Sequence, residues 1–166
     1  KTELFFKKSY GEEGLRFPVG KTSEDYYLMH KIIARADKIV YTSQPFYHYI
    51  QRGGSISRGK SINLEQLNAS LAQVDFYQKW FPHLAYIAES ACAFTYMAVQ
   101  AAYLERKIDC PLELRKKSKN ICRKYLKSIL KNDSISNFKK IQALIFRYSL
   151  PLYKVLIKNI IVYKKV

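Results

Sequence analysis

The sequence has few of the residues that several kinds of binding site require. Its three cysteines, Cys92, Cys110 and Cys122, are eighteen and twelve residues apart, which matches neither a zinc site nor a closed set of disulfides. An odd number of thiols favours free cysteines in a reducing compartment. The chain also has no Cys/His finger, basic zipper or aromatic RNA-binding motif, so nucleic acid is not a predicted partner.

Glycine and long apolar runs are scarce as well. Only six glycines occur in 166 residues, the opening has no glycine-rich nucleotide-binding loop, and it does not resemble a signal peptide. Because no initiator methionine is present either, we expect Lys1 to lie partway along a longer protein. The apolar stretch at 143–165 contains Arg147, Lys154 and Lys158, which is too much charge for a membrane-spanning helix.

Acidic residues are outnumbered, chiefly towards the C-terminus. The chain has 29 Lys and Arg against 13 Asp and Glu, a formal net charge of +16, and residues 105–166 hold seventeen of these cations and four of the acids. Such a segment attracts anionic lipids or polymers. In residues 143–165 the mixture of cations with apolar and aromatic residues fits an interfacial helix, and equally a helix packed on the domain with a solvated basic face. The sequence leaves both interpretations open.

Apolar residues at helical spacing are abundant. The hydrophobic content of 48% is enough for a core. The spacing predicts helices over residues 63–80, 83–106 and 111–130, a further helix from about Ile135, and a break at Pro151. The helix over 83–106 is rich in alanine, which permits close approach of a neighbour. Together these segments predict a bundle-like helical extension over residues 61–166.

Two adjacent acids, Glu24 and Asp25, follow a loop that contains proline and glycine. Apolar residues at Leu28, Ile32 and Ile33 predict a helix that starts at the pair and runs to residue 36. A helix N-terminus favours the anionic form of both acids, which can present a fixed base there.

The same placement has a simpler interpretation. Ser23 or Thr22 can cap this helix, and acids are common at helix starts without any catalytic role. Taken alone, the stretch favours capping.

The order of motifs around the acid pair resembles a known family. An aromatic and basic start at 4–8 and an Arg-Phe-Pro entry at 16–18 come before the acid pair at 24–25. A short predicted strand at 38–41, a tyrosine-rich element at 45–49 and an Arg/Gly/Ser loop at 51–58 follow it. This order closely resembles the second half of the catalytic domain of bacterial family 2 glycosyltransferases of the GT-A type, which build capsular and other cell-surface polysaccharides. The resemblance covers the first third of the chain.

The resemblance implies an α/β fragment that is mostly α. Residues 1–60 would be the C-terminal part of a GT-A-like catalytic domain with few short strands, and residues 61–166 a helical extension with a basic amphipathic tail. The implied function is inverting transfer of a sugar from a nucleotide-sugar donor to a glycan or lipid-linked acceptor, in the cytoplasm and peripheral at the inner face of the membrane. The strands that hold the nucleotide, and an Asp-x-Asp site for Mg²⁺ or Mn²⁺, would precede Lys1, so the fragment alone is expected to be inactive.

The resemblance also implies roles for individual residues. Asp25 is the predicted catalytic base, with Glu24 in support, and no metal ligand is predicted within the chain. Donor contacts are predicted at His48 in the tyrosine-rich element and in the loop at Arg52, Gly54, Ser55 and Arg58. Family members usually carry a basic residue where this chain has Ile50, so the phosphate contact either falls to Arg52 or Arg58 or is absent.

A second hypothesis belongs to a different class of protein. The chain would be a non-enzymatic basic helical module that binds a membrane surface or a polyanion, and the acid pair would only cap a helix.

Overall fold

The computed structural model describes residues 15–44 and 62–163. Within those ranges it forms seven α-helices and one 3₁₀ turn. The helices are α1 (Glu24–Arg35), α2 (Glu65–Trp80), α3 (Ala85–Glu105), α4 (Leu112–Lys124), α5 (Leu126–Lys131), α6 (Asn137–Tyr148) and α7 (Leu150–Tyr163), and the 3₁₀ turn, Pro82–Leu84, leads from α2 into α3.

The predicted α/β fold with a few GT-A-like strands is wrong for the described part of the chain, which contains helices and no β-strand. The strand predicted at 38–41 is an irregular segment in which Ile39, Val40 and Tyr41 are 59%, 77% and 76% exposed. Branched and aromatic residues form a strand only where a neighbouring strand and a half-buried surface are available. Residues 15–44 and 62–163 offer neither. The predicted domain boundary at residue 60 lies outside the described residues.

Helix α3 is the centre of the fold. It packs against α2, α4, α5, α6 and α7. Small buried residues on α3, among them Ala88, Cys92 and Ala93, let these neighbours approach closely, and the larger Tyr96 and Met97 fill the space beside them. The predicted alanine-rich helix therefore carries most of the main core.

The helix predicted over 111–130 is two helices. Tyr125 lies between α4 and α5 with φ −100° and ψ 12°, which ends the first helix at Lys124. With the break at this point, Tyr125 and Leu126 are both buried although they are adjacent in sequence. In one straight helix they would point about 100° apart.

The C-terminal segment packs on the rest of the domain. Helices α6 and α7 are separated at Ser149, next to the predicted break, and Pro151 lies in the first turn of α7, where its missing N–H breaks no helical bond. Tyr153 is buried against Phe146, with ring centroids 4.7 Å apart, and its hydroxyl donates to the carbonyl of Met97 at 3.2 Å. Of the two interpretations left open for this tail, the packed one agrees with the structure. None of the described helices combines the length and the apolar character needed to cross a membrane.

Candidate functional site

Glu24 and Asp25 lie in the first turn of α1, as predicted, and both side chains are exposed. Asp25 Oδ1 accepts the backbone N–H of Tyr26 at 2.9 Å. The same amide also donates to the carbonyl of Ser23 at 3.1 Å, so it has a backbone partner without Asp25. The carboxylate of Asp25 stays accessible to solvent at the helix start.

The predicted capping by Ser23 or Thr22 is wrong. Ser23 has φ 63° and ψ 38°, in the left-handed region, whereas a capping serine needs extended backbone to reach the helix amides. Asn63 engages both hydroxyls instead: Thr22 Oγ1 donates to Asn63 Oδ1 at 3.1 Å, and Asn63 Nδ2 donates to Ser23 Oγ at 2.8 Å. Because left-handed backbone costs a serine roughly 1–2 kcal/mol, these bonds help to hold it there.

Glu65 ties the loop before α1 to the start of α2. Its Oε1 accepts from the hydroxyl of Tyr27 at 2.6 Å and pairs with Lys21 Nζ at 2.9 Å. The Tyr27 hydroxyl, and then Lys21, lower the pKa of the Glu65 carboxyl. Burial, reinforced by Glu65, raises the pKa of Tyr27 to about 12. Because Lys21 precedes the acid pair and Tyr27 follows it, their bonds to Glu65 hold the chain on both sides of the pair.

Sequence reasoning did not find this network. Glu65 lies thirty-eight residues beyond Tyr27 and follows a different loop, and no local spacing links the two. The sequence does show an acid in the first turn of α2, but acids are common at helix starts and this one does not point to a partner.

A small apolar cluster lies beneath the acid pair. Leu28 and Ile32 are buried there with Leu15, as predicted for an anchoring face, and Met29 packs against them. Ile33, predicted to share that face, is 37% exposed. The cluster and the Glu65 network together hold the first turn of α1 in place.

His30 is buried between α1 and α2. Its Nδ1 lies 3.1 Å from the carbonyl of Tyr26, and its ring meets Phe76 edge to face at 4.9 Å. Its Nε2 is buried and has no hydrogen-bond partner among the described residues. Burial lowers the pKa of His30 despite the backbone hydrogen bond. The side chain is therefore a structural neutral imidazole.

We expect this burial to make stability depend on pH. The unfolded chain binds a proton at His30 near pH 6.5 and the folded chain only at lower pH, so the free energy of unfolding should fall as the pH drops below about 6.5. The slope from one such group is at most about 1.4 kcal/mol per pH unit. Urea unfolding between neutral and mildly acidic pH measures it, and the Glu65 carboxyl adds its own loss only below its ordinary value of 4.5.

Matched variants test the assignment. His30→Leu should flatten the profile in that range, whereas His83→Gln, which removes an exposed histidine, should leave it unchanged. Equal flattening in both variants, or in neither, would contradict the role of His30.

The predicted donor-binding residues His48, Arg52, Gly54, Ser55 and Arg58 lie outside the described residues. Across 15–44 and 62–163, no three His, Cys, Asp or Glu side chains are grouped so that they could hold a metal ion. The three cysteines are free and buried, and burial raises the pKa of Cys122 to about 11. A thiol held protonated in this way, like that of Cys122, does not act as a nucleophile.

Two cavities lie elsewhere in the bundle. One, of about 220 Å³, is lined by residues of α3, α4, α7 and the loop between α3 and α4, and these include Gln100, Cys110 and Arg115. The other, of about 280 Å³, lies between the start of α3 and α5, and contains Glu89 and Lys127. Neither is lined by Glu24 or Asp25. Both acids are exposed at the surface of the described part of the chain.

Comparison with known proteins gives a short match. Over 46 residues, 28% of this chain, the sequence is 44% identical to a protein of Streptococcus pneumoniae serotype 4 (strain ATCC BAA-334 / TIGR4) named glycosyltransferase GlyA. The matched segment is 7% of that protein's length. No family model and no solved structure matches the chain. The match supports a relationship to glycosyltransferases in general and does not extend to family 2 or the GT-A type.

Proposed function

We propose that this chain is part of an inverting glycosyltransferase that moves a sugar from a nucleotide-sugar donor to a glycan or lipid-linked acceptor. The 44% identity to a protein named as a glycosyltransferase is the observation that carries the proposal. The order of motifs around Glu24 and Asp25 also supports it.

The proposed chemistry begins with the acceptor. A sugar hydroxyl is a poor nucleophile near neutral pH, so a carboxylate within hydrogen-bond reach has to take its proton as the oxygen attacks the anomeric carbon. Asp25 is the proposed base and Glu24 orients the acceptor. The exposed position of both side chains leaves them accessible to a glycan, and the Glu65 network keeps their helix turn fixed.

The leaving group completes the displacement. The new bond from the acceptor oxygen to the anomeric carbon forms as the bond to the donor diphosphate breaks, which inverts the anomeric centre. Arg52, Arg58, His48 and the Gly54-Ser55 backbone are the proposed contacts of the departing diphosphate. A divalent ion, Mg²⁺ or Mn²⁺, held outside this chain in the whole protein, would offset the same charge.

An assay of the whole protein tests the proposal. Incubation with a panel of nucleotide sugars should release nucleoside diphosphate and label a glycan or lipid-linked acceptor, and NMR of the product should show the inverted anomer. Transfer with retention would overturn the inverting mechanism. No donor turnover with any member of the panel would overturn the transferase.

A second candidate is the non-enzymatic basic module. Residues 114–159 contain thirteen Lys and Arg and a single acid, Asp133, which is the charge pattern of a surface for polyanions or anionic lipid. The two candidates differ in one measurable respect: the module should show its full activity without nucleotide sugar, and substitution of Asp25 should not affect it.

A further inference from the structure

Helix α6 presents an apolar face to solvent. Phe138, Ile141 and Tyr148 are 54%, 53% and 70% exposed, and Ile145 between them is half-buried and packs partly against the core. At 100° per residue these four fall within an arc of about 80° on the side away from the buried Ala143. A surface helix ordinarily turns its polar side outward. Here the polar residues lie at the flanks instead.

One flank of this face is cationic. Lys140 and Arg147 are seven residues apart and lie on one side of the apolar arc, and Arg147 stacks on Tyr148 at 4.8 Å. Helix α6 contains no acidic residue, and neither does α7 through residue 159. Helix α7 also has exposed apolar residues, Leu152 and Val155, which are 53% and 56% exposed.

We propose that this face, made of Phe138, Ile141, Ile145 and Tyr148, docks on an anionic membrane surface. Its aliphatic and aromatic side chains would enter the headgroup boundary while Lys140 and Arg147 reach lipid phosphates, the arrangement of an interfacial helix. The inference goes beyond sugar transfer and does not depend on it.

Charge complementarity selects lipid over the other occupants. A second copy of the chain would bring the same cations together, at a net charge of +16 per copy, with no acids on α6 to receive them. Nucleic acid would engage the cations but would gain nothing from a stripe of exposed Phe, Ile and Tyr that has no base-reading motif around it. An anionic bilayer can accept the apolar side chains of the face in its headgroup boundary and pair its phosphates with Lys140 and Arg147.

The proposal moves the membrane contact away from α7, which the basic composition of the tail suggests. Tyr153 and Ile157 of α7 are 1% and 5% exposed, so that helix cannot present them to lipid without leaving the core. Helix α6 needs no such rearrangement.

Vesicle flotation of the full chain tests the proposal. We expect binding to vesicles of phosphatidylcholine with added phosphatidylglycerol, and little binding to phosphatidylcholine alone. Phe138→Ser with Ile141→Ser should lower binding to the anionic vesicles about tenfold or more. Lys140→Glu with Arg147→Glu should lower it by at least about thirtyfold, the loss of two cations alone, and weaken its salt dependence.

A matched pair controls for general loss of surface hydrophobicity. Ile39→Ser with Val40→Ser removes two residues that are at least as exposed, outside the bundle, and should leave flotation unchanged. Circular dichroism and thermal unfolding of every variant exclude misfolding as the cause. A direct probe is Tyr148→Trp in a Trp80→Phe background, which leaves one tryptophan; its emission should shift to the blue and be quenched by lipids brominated near the headgroup.

Three results would overturn the proposal. The first is that the Phe138→Ser/Ile141→Ser variant floats as well as the parent chain. The second is that the emission of the single tryptophan does not shift on anionic vesicles, and the third is that the chain self-associates in solution and the same double variant abolishes this association. The last would assign the face to a second copy. Preferential binding to nucleic acid that the Phe138/Ile141 variant retains would likewise assign the surface to its cations alone.

Discussion

Replacing Asp25 by asparagine in the full-length protein should reduce sugar transfer by roughly 10²–10⁴-fold, the contribution typical of a general base. The fold should be almost unaffected. Asp25 is exposed, and its one described contact is the amide of Tyr26, which the carbonyl oxygen of asparagine can still accept. The loss should therefore appear in kcat, with donor binding nearly intact.

Two comparisons sharpen this experiment. Glu24→Gln should cost less than Asp25→Asn, because Glu24 is proposed to orient the acceptor and not to take its proton. Glu65→Gln should weaken the link to Lys21 and Tyr27 and so lower transfer without removing a reacting group. Initial rates and equilibrium binding of the donor measure these effects. Turnover retained in Asp25→Asn would remove that residue from the role of base.

The helical parts of the fold could be predicted because their patterns are local. The start of α1, the extent of α2 and the long α3 follow from apolar spacing and from Pro82, and the observed ends differ from the predicted ones by two residues or fewer. The break beside Pro151 is a local consequence of proline chemistry in the same way.

The parts that could not be predicted depend on distant partners. Val40 and Tyr41 have the composition of a strand, yet the described residues supply no neighbouring strand, and no residue in the segment itself reveals that. Ser23 has the composition of a cap, but its left-handed backbone and its bond to Asn63, forty residues away, prevent capping. The break at Tyr125 likewise follows from packing on α3.

The candidate site divides along the same line. The place of Glu24 and Asp25 at a helix start could be predicted from local spacing, and it is confirmed. The Glu65 network that fixes this turn could not, because Glu65 is about forty residues from Lys21 and Tyr27 in sequence and only the fold brings them together. The catalytic role itself stays a prediction, since a first-turn acid has the same local surroundings whether it caps or reacts.

The two phenylalanines of α6 separate stability from lipid binding. Phe146 is completely buried against Tyr153, so Phe146→Ala should lower the free energy of unfolding by about 3–5 kcal/mol. Phe138→Ala removes the same atoms from the same helix at a site that is 54% exposed, and should cost less than about 1 kcal/mol. Since the change in helix propensity is common to both variants, the difference measures burial.

Urea unfolding of the two variants gives the comparison. If Phe146→Ala is too unstable to purify, Phe146→Leu keeps most of the volume and should still be less stable than Phe138→Leu. Vesicle flotation should show the reverse order, because Phe138 belongs to the exposed face and Phe146 to the core. Similar destabilisation by both alanine variants would mean that α6 is turned differently in solution, and the proposed membrane face would then be lost as well.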